Sequence, residues 1–258
     1  MPLSVALIEE LAQSLVEAEC SRGTIDTLSS RYPGLDEADA YAIARARLRR
    51  RRHARTGYKL GYTSAAMRRQ MNIEHPNYGV LTADMVIEGG TIAFNTLIHP
   101  LVEPEIAIAL GRDLAGGGHD RNSVLAAAPL FMAAIEVCDT RYHEYRFKAV
   151  DNIADNSSAA RYVLGTPMPV TTGCDLRTLA AELWIDDQLT DQGVGANALD
   201  DPLLAVAWLA NRLHAEGTTL KAGEVVLTGG LTRGYLVRRG QQIRSRLAGA
   251  GDAALLFS

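Results

Sequence analysis

The sequence predicts an α+β fold in which N-terminal helices precede a mainly antiparallel, β-rich body. Three observations carry this. Residues 1–57 show the apolar spacing of helices. From Tyr58 onward, short runs rich in Val, Ile and Ala are broken by glycines, the pattern of strands and turns. These runs are not separated one by one by helices, as a doubly wound parallel sheet requires. The chain thus divides into a helical region, 1–57, and a β-rich region, 58–258, read as one compact unit with enough residues for a full core.

Taken in order, Ser4 to about Ala18 is amphipathic, and Asp36 is placed to cap a helix through YAIARARLRRRRHART. Arg45, Arg47, Arg49, Arg50, Arg51, Arg52 and Arg55 crowd that helix. A polyanion site would interleave them with aromatics in a basic chain. This chain has a net charge of −4, so a solvated face or a subunit contact is expected. YKLGY (58–62), DMVIEGGTIAF (84–94), PEIAIALGRDL (104–114), AAIEV (133–137) and RYVLG (161–165) read as strands. So do AELWID (181–186), EVVLTGG (224–230), QQIRSRL (241–247) and AALLF (253–257). Two helices interrupt them: Ser123 to Ala128, and Leu203 to Ala215 with Asp200 or Asp201 as cap and Pro202 in the first turn. The clusters at Gly116–Gly118 and in LTGGLTRG lack Walker or dinucleotide spacing and read as turns.

Composition narrows the function classes. The chain is 47% hydrophobic and 22% charged, and nothing in it calls for nucleic acid. No apolar run approaches the ~20 residues that span a bilayer. MPLSVALIEELAQ carries acids where a signal peptide carries bases, so no membrane contact and a cytoplasmic location are expected. Cys20, Cys138 and Cys174 lack disulfide or zinc-knuckle spacing and read as buried or idle thiols. The six histidines are scattered, with no pair at ligand spacing.

Chemistry concentrates in three acids. Glu103 and Glu105 alternate in HPLVEPEIAIAL, and Glu136 lies in FMAAIEVCD. Residues i and i+2 of a strand share a face, about 7 Å apart. Burying such carboxylates costs several kcal/mol unless a cation or hydrogen bonds meet them. One shared divalent ion is the simplest solution, and three hard oxygen donors favour Mg²⁺ or Mn²⁺ over zinc. The alternative is an E-x-E pair facing solvent on a half-exposed strand. Lys59, in GYKLGYTS, sits among apolar neighbours that depress its tendency to stay charged, which suits proton transfer or carboxylate binding. Alternatively it snorkels to the surface. Asp151, Asp155, Asn156, Ser157 and Ser158, in DNIADNSSAARYVLG, read by themselves as a polar turn.

The ordered series G-Y-K-L-G-Y-T-S, P-N-Y-G-V-L, E-P-E-I-A, I-E-V-C-D-T-R, I-A-D-N-S-S and V-V-L-T-G-G spans nearly the whole chain. It resembles the hydratase/decarboxylase branch of the fumarylacetoacetate hydrolase superfamily. The resemblance implies a mixed β-roll or barrel-like body behind N-terminal helices, usually assembled as a homo-oligomer. It implies Glu103, Glu105 and Glu136 as magnesium ligands, and Lys59, Asp155, Asn156 and Ser157 around the substrate. The expected reaction is metal-dependent lyase chemistry on a small 2-oxo or 2-hydroxydienoate acid: hydration of 2-hydroxypenta-2,4-dienoate to a 4-hydroxy-2-oxo acid. Decarboxylation of 2-oxo-3-hexenedioate is the alternative. Lys59 and Asp155 are assigned the proton transfers, and Asn156 and Ser157 the holding of substrate or water.

Both branches leave marks on the sequence. Asp151 and the Asp84-Met85 pair resemble the hydratases; Thr140–Tyr142, Phe147 and His99-Pro100 resemble the decarboxylases. Arg233, in GGLTRG, offers a bidentate partner to a second carboxylate, or is an exposed loop residue. Leu199-Asp200-Asp201-Pro202 stands where the family commonly has a Gly-His-Pro turn. A reading of another class is a catalytically idle subunit associated with a pathway partner enzyme.

Overall fold

Ser4 opens helix α1 (Val5–Ser21), its side chain accepting from the Leu7 N–H. Leu11, Leu15 and Ala18 form the buried stripe of this helix. A short α2 (Leu28–Arg31), absent from the sequence reading, leads to α3 (Glu37–Arg51), capped by Asp36 as expected. The structure, a computed structural model, describes residues 2–65, 68, 73–127, 129–171 and 173–258. Helix α3 stops at Arg52, whose φ of 56° is left-handed, instead of running on to Thr56. That stop releases β1 (Arg55–Gly61), which pairs antiparallel with β2 (Asn77–Thr82).

The strand expected over 84–94 does not form. Gly89 and Gly90, with φ of 74° and 67°, turn the chain, and only β3 (Thr91–Ile92) remains between two 3-10 turns. Next come β4 (Leu101–Ala109), α4 (Arg121–Ala126), β5 (Leu130–Cys138) and α5 (Ala149–Ala154). The helix expected over 123–128 thus begins two residues earlier, at the Asp120 cap, and residue 128 lies outside the described residues. Then follow β6 (Ala159–Leu164), β7 (Met168–Pro169), β8 (Ala180–Ile185) and β9 (Gln188–Val194). Helix α6 (Pro202–Ala215) is capped by Asp201, which accepts from the Leu203 N–H and also pairs with Arg121 at 2.8 Å. Asp201, not Asp200, is the cap, and its second bond ties the atypical loop to Arg121. The chain ends with β10 (Val225–Leu227), β11 (Tyr235–Leu236), β12 (Gln242–Leu247) and β13 (Gly251–Phe257).

One sheet runs β2-β1-β10-β4-β5-β6, with β11 also on β4 and β7 on β5; the other runs β3-β13-β12-β8-β9. Pairs β1–β10 and β13–β3 are parallel and the other strand pairs antiparallel. Ile106, Ile135 and Val137 of the first sheet share an apolar core with Leu183, Ile243 and Phe257 of the second and Leu11, Leu15 and Ile43 of the helices. This is the curled, mainly antiparallel roll behind N-terminal helices that the sequence predicts. Among the described residues no helix is long and apolar enough to cross a membrane.

The arginine run departs from expectation. Arg47 is 4% exposed and pairs with Glu19 at 2.6 Å and Asp155 at 3.0 Å. Arg51 meets Glu19 and Asp84, and Arg50 meets Glu9. On one face of α3 the charges turn inward, because α1 supplies acids at matching heights.

Candidate active site

The strand register assembles the site. β4 and β5 pair Glu103 with Glu136, Glu105 with Ala134 and Leu101 with Cys138, so all six side chains share one face. β10 pairs Leu227 with Ala107 on that face, and β1 pairs Lys59 with Leu227. Three carboxylates, one thiol and one ammonium are thereby placed together by residues far apart in sequence.

Glu105 and Glu136 are fully buried, whereas Glu103 borders an open pocket. Glu105 Oε2 accepts from the Gly229 N–H at 2.7 Å, and Oε1 has no donor among the described residues. Glu136 Oε2 lies 3.2 Å from Lys59 Nζ, and Oε1 has no partner among the described residues. Burial raises the Glu103 pKa to about 7, Lys59 only partly opposing it. Burial, then the neighbouring charges of Glu136 and Glu103, push Glu105 well above the usual carboxylate range. One ammonium facing three carboxylates, two of them with buried oxygens that have no donor among the described residues, fits a further cation held between them. An all-oxygen set of this kind suits a hard divalent ion. The solvent-facing alternative for the E-x-E pair does not hold.

Lys59 Nζ also donates to the Ser157 carbonyl at 3.0 Å and lies 3.8 Å from Cys138 Sγ. Burial disfavours its charge, but the acidic groups of Cys138, Glu136, Glu103 and Glu105 outweigh burial and hold its pKa above the ordinary lysine value. In the metal-free chain the expected depression is therefore reversed. Lys59 is buried, not snorkelling.

The Ser157 carbonyl is aimed at Lys59 by an unusual turn. Asn156, Ser157 and Ser158 all have φ between 53° and 57°, a left-handed stretch that costs L-residues roughly 1–2 kcal/mol each. The Asn156 side chain braces it by accepting from the Val80 N–H at 2.8 Å and donating to the Val80 carbonyl at 2.9 Å. β2 approaches so closely that a Cβ on Gly79 would sit 2.3 Å from the Asn156 carbonyl oxygen.

Three sequence-chosen residues do not reach the pocket. The Asp155 carboxylate is fully buried behind the turn and accepts from Arg47, from the Arg141 side chain and N–H, and from the Thr140 hydroxyl. Its oxygens are saturated by donors, which suits positioning rather than proton transfer at a substrate. Asn156 bonds β2 instead of lining the cavity. Arg233 is exposed and stacks 4.6 Å over the Tyr235 ring, although its neighbour Thr232 lines the pocket. Ser157 does line it, together with Asn152, Ser158, Tyr62, Tyr145 and Phe147, which the sequence reading did not assign to it. Cys138 was findable: it stands two residues after Glu136 and shares its face.

The family model "Fumarylacetoacetate (FAA) hydrolase C-terminal" matches residues 44–255. The chain belongs to the fumarylacetoacetate hydrolase family. Within it, the chain is 37% identical over 253 residues to a 4-oxalocrotonate decarboxylase of Pseudomonas putida, covering 96% of this chain and 95% of the relative. It is also 37% identical over 255 residues to a 2-keto-4-pentenoate hydratase of Burkholderia vietnamiensis, covering 97% of each. The solved 4-oxalocrotonate decarboxylase from Pseudomonas putida G7, complexed with magnesium and adipate, superposes with a TM-score of 0.95 at 33% identity over 99% of both chains. A fumarylpyruvate hydrolase from Pseudomonas aeruginosa, at 17% identity and a TM-score of 0.61, shares the fold.

Proposed function

We propose that the chain is a Mg²⁺-dependent lyase that hydrates 2-hydroxypenta-2,4-dienoate, or a related 2-oxoalkenoate, to a 4-hydroxy-2-oxo acid. The observation that carries this is a carboxylate-rich, one-ammonium floor beneath a pocket with an apolar outer wall. Leu101 lies two residues from Glu103 on the same face, about 7 Å along the strand, and Phe147 and Tyr145 join it in the lining. Glu103, Glu105 and Glu136 would hold the ion. Mg²⁺ there supplies Lewis-acid stabilisation of negative charge on an enolising 2-oxo acid. Lys59, fixed between Glu136 and the Ser157 carbonyl, keeps a proton at Nζ beside the reacting carbons. Asn152, Ser157 and Ser158 offer amide and hydroxyl groups to substrate or water, and the apolar wall receives a hydrocarbon tail.

Decarboxylation of 2-oxo-3-hexenedioate is the second reading. Arg233 favours it, because it follows the pocket residue Thr232 in sequence and could offer a guanidinium to a second carboxylate. Homo-oligomeric assembly, with or without a pathway partner enzyme, belongs to the same proposal and is supported by the exposed Leu189, Val194 and Leu236. The test is a parallel Mg²⁺-dependent assay on both acids with products identified by mass spectrometry. A 4-hydroxy-2-oxo acid from the first establishes the hydratase, and CO₂ from the second moves the assignment to the decarboxylase. Turnover of neither, with metal bound, favours an idle subunit.

A further inference from the structure

Cys138 gives this site a second ligand set. One carboxylate oxygen from each of Glu103 and Glu136 and the Cys138 Sγ lie within 4.8 Å of one another. The cysteine does not stand alone, since the adjoining Glu136 carboxylate is fully buried, with Oε1 unpartnered among the described residues and Oε2 facing Lys59 Nζ at 3.2 Å. Cys138 is 5% exposed and borders the pocket, so an ion entering to reach Glu103 also meets the sulfur.

We propose that Glu103, Glu136 and Cys138 form a capture site for soft divalent cations, Zn²⁺ and Cd²⁺, which displace the hard ion and shut the enzyme down. The inference rests on the reading that Glu103 and Glu136 hold a divalent ion. Carboxylate oxygen and thiolate sulfur are both zinc donors, with metal–oxygen distances of about 2.0–2.2 Å and a metal–sulfur distance of about 2.3 Å. The three atoms therefore draw in by roughly an ångström around the ion, a movement within reach of side-chain torsions. Thiolate ligation and the Irving–Williams order both place Zn²⁺ above Mg²⁺ and Mn²⁺ at such a set. As the metal–sulfur bond forms, the S–H bond breaks and its proton passes to solvent; no oxidant or reductant takes part. Glu105, bonded to the Gly229 N–H, belongs to the hard-ion set alone.

The test uses the full chain carrying Cys20→Ser and Cys174→Ser, so that Cys138 is its one thiol. Cd²⁺ is titrated while the ultraviolet thiolate-to-cadmium band is followed, and bound Mn²⁺ is followed separately by its electron paramagnetic resonance. The expected result is a band saturating at one Cd²⁺ per chain with release of the bound Mn²⁺. Adding Cys138→Ser removes the band and weakens Cd²⁺ binding at least about a hundredfold, while Mn²⁺ binding changes less than about threefold. Cadmium-113 resonance of the Cys138 protein gives a reading that needs no further variant: a shift typical of sulfur ligation supports the site, and an all-oxygen shift overturns it. Mn²⁺ binding without a cadmium–thiolate band overturns this inference alone. Failure to bind Mn²⁺ overturns the underlying functional reading as well.

Discussion

Asp155→Asn separates a positioning role from a chemical one. The wild-type carboxylate is fully buried between two guanidiniums whose side chains are 5% and 1% exposed, those of Arg47 and Arg141. An asparagine of the same shape removes the charge and turns an amide N–H₂ toward groups that are all donors. Arg47 keeps Glu19, but Arg141 keeps only the Asp155 backbone carbonyl among its bonds to this residue. Removing one member of a buried ion pair costs about 3–5 kcal/mol. For a chain of this size each kcal/mol lowers Tm by about 2–4 °C, so a fall of about 6–20 °C is expected. The left-handed turn begins at the next residue, so turnover falls too, with the Ser157 carbonyl no longer fixed on Lys59. The assay is thermal unfolding by circular dichroism alongside the rate of substrate loss. A variant that melts within about 2 °C of wild type yet has no activity would refute the reasoning and return Asp155 to proton transfer at the substrate.

Lys59→Met leaves Glu136 without its cation and is expected to lower kcat by about 10²–10⁴; a variant retaining most of its turnover removes Lys59 from the chemistry. Gly79→Ala forces a methyl to 2.3 Å from the Asn156 carbonyl oxygen, so stability should fall by about 1–3 kcal/mol and activity with it; unchanged denaturant midpoints would show that β2 does not brace the turn. The Glu103 pKa is raised from 4.5 to about 7 in the folded, metal-free chain. A raised carboxyl contributes its stability below the unfolded pKa and loses it as pH climbs through the folded one. The chelated protein should therefore lose about 3 kcal/mol between roughly pH 4.5 and 7, and Mg²⁺ should bind more weakly as pH drops below about 7. Denaturation and calorimetric titrations across that range check both signs, and flat profiles contradict them.

Much of this was legible in the sequence because it is local. Asp36 and Ser4 cap their helices, most of the apolar runs become strands, and the i, i+2 rule puts Glu103 and Glu105 on one face. What was not legible depends on register and depth. Only the β4–β5 pairing brings Glu136 opposite Glu103, and only the β1–β10–β4 order brings Lys59 to them. Asp155 and Ser157 stand two residues apart in one motif, yet one lies behind the turn and the other in the pocket. Three consecutive left-handed residues cause that split, and only Asn156 is of a type enriched there, so nothing in the sequence marks Ser157 and Ser158. The arginine helix misled for the same reason: charge in a row says nothing of which face meets α1.

The most direct test of the account is Mn²⁺ binding by electron paramagnetic resonance to the wild type and to Glu136→Gln. One Mn²⁺ per wild-type chain, weakened at least about tenfold in the variant while the circular dichroism spectrum is retained, is the predicted result. Equal binding by the two proteins, or none by the wild type, would contradict a metal centre built from Glu103, Glu105 and Glu136.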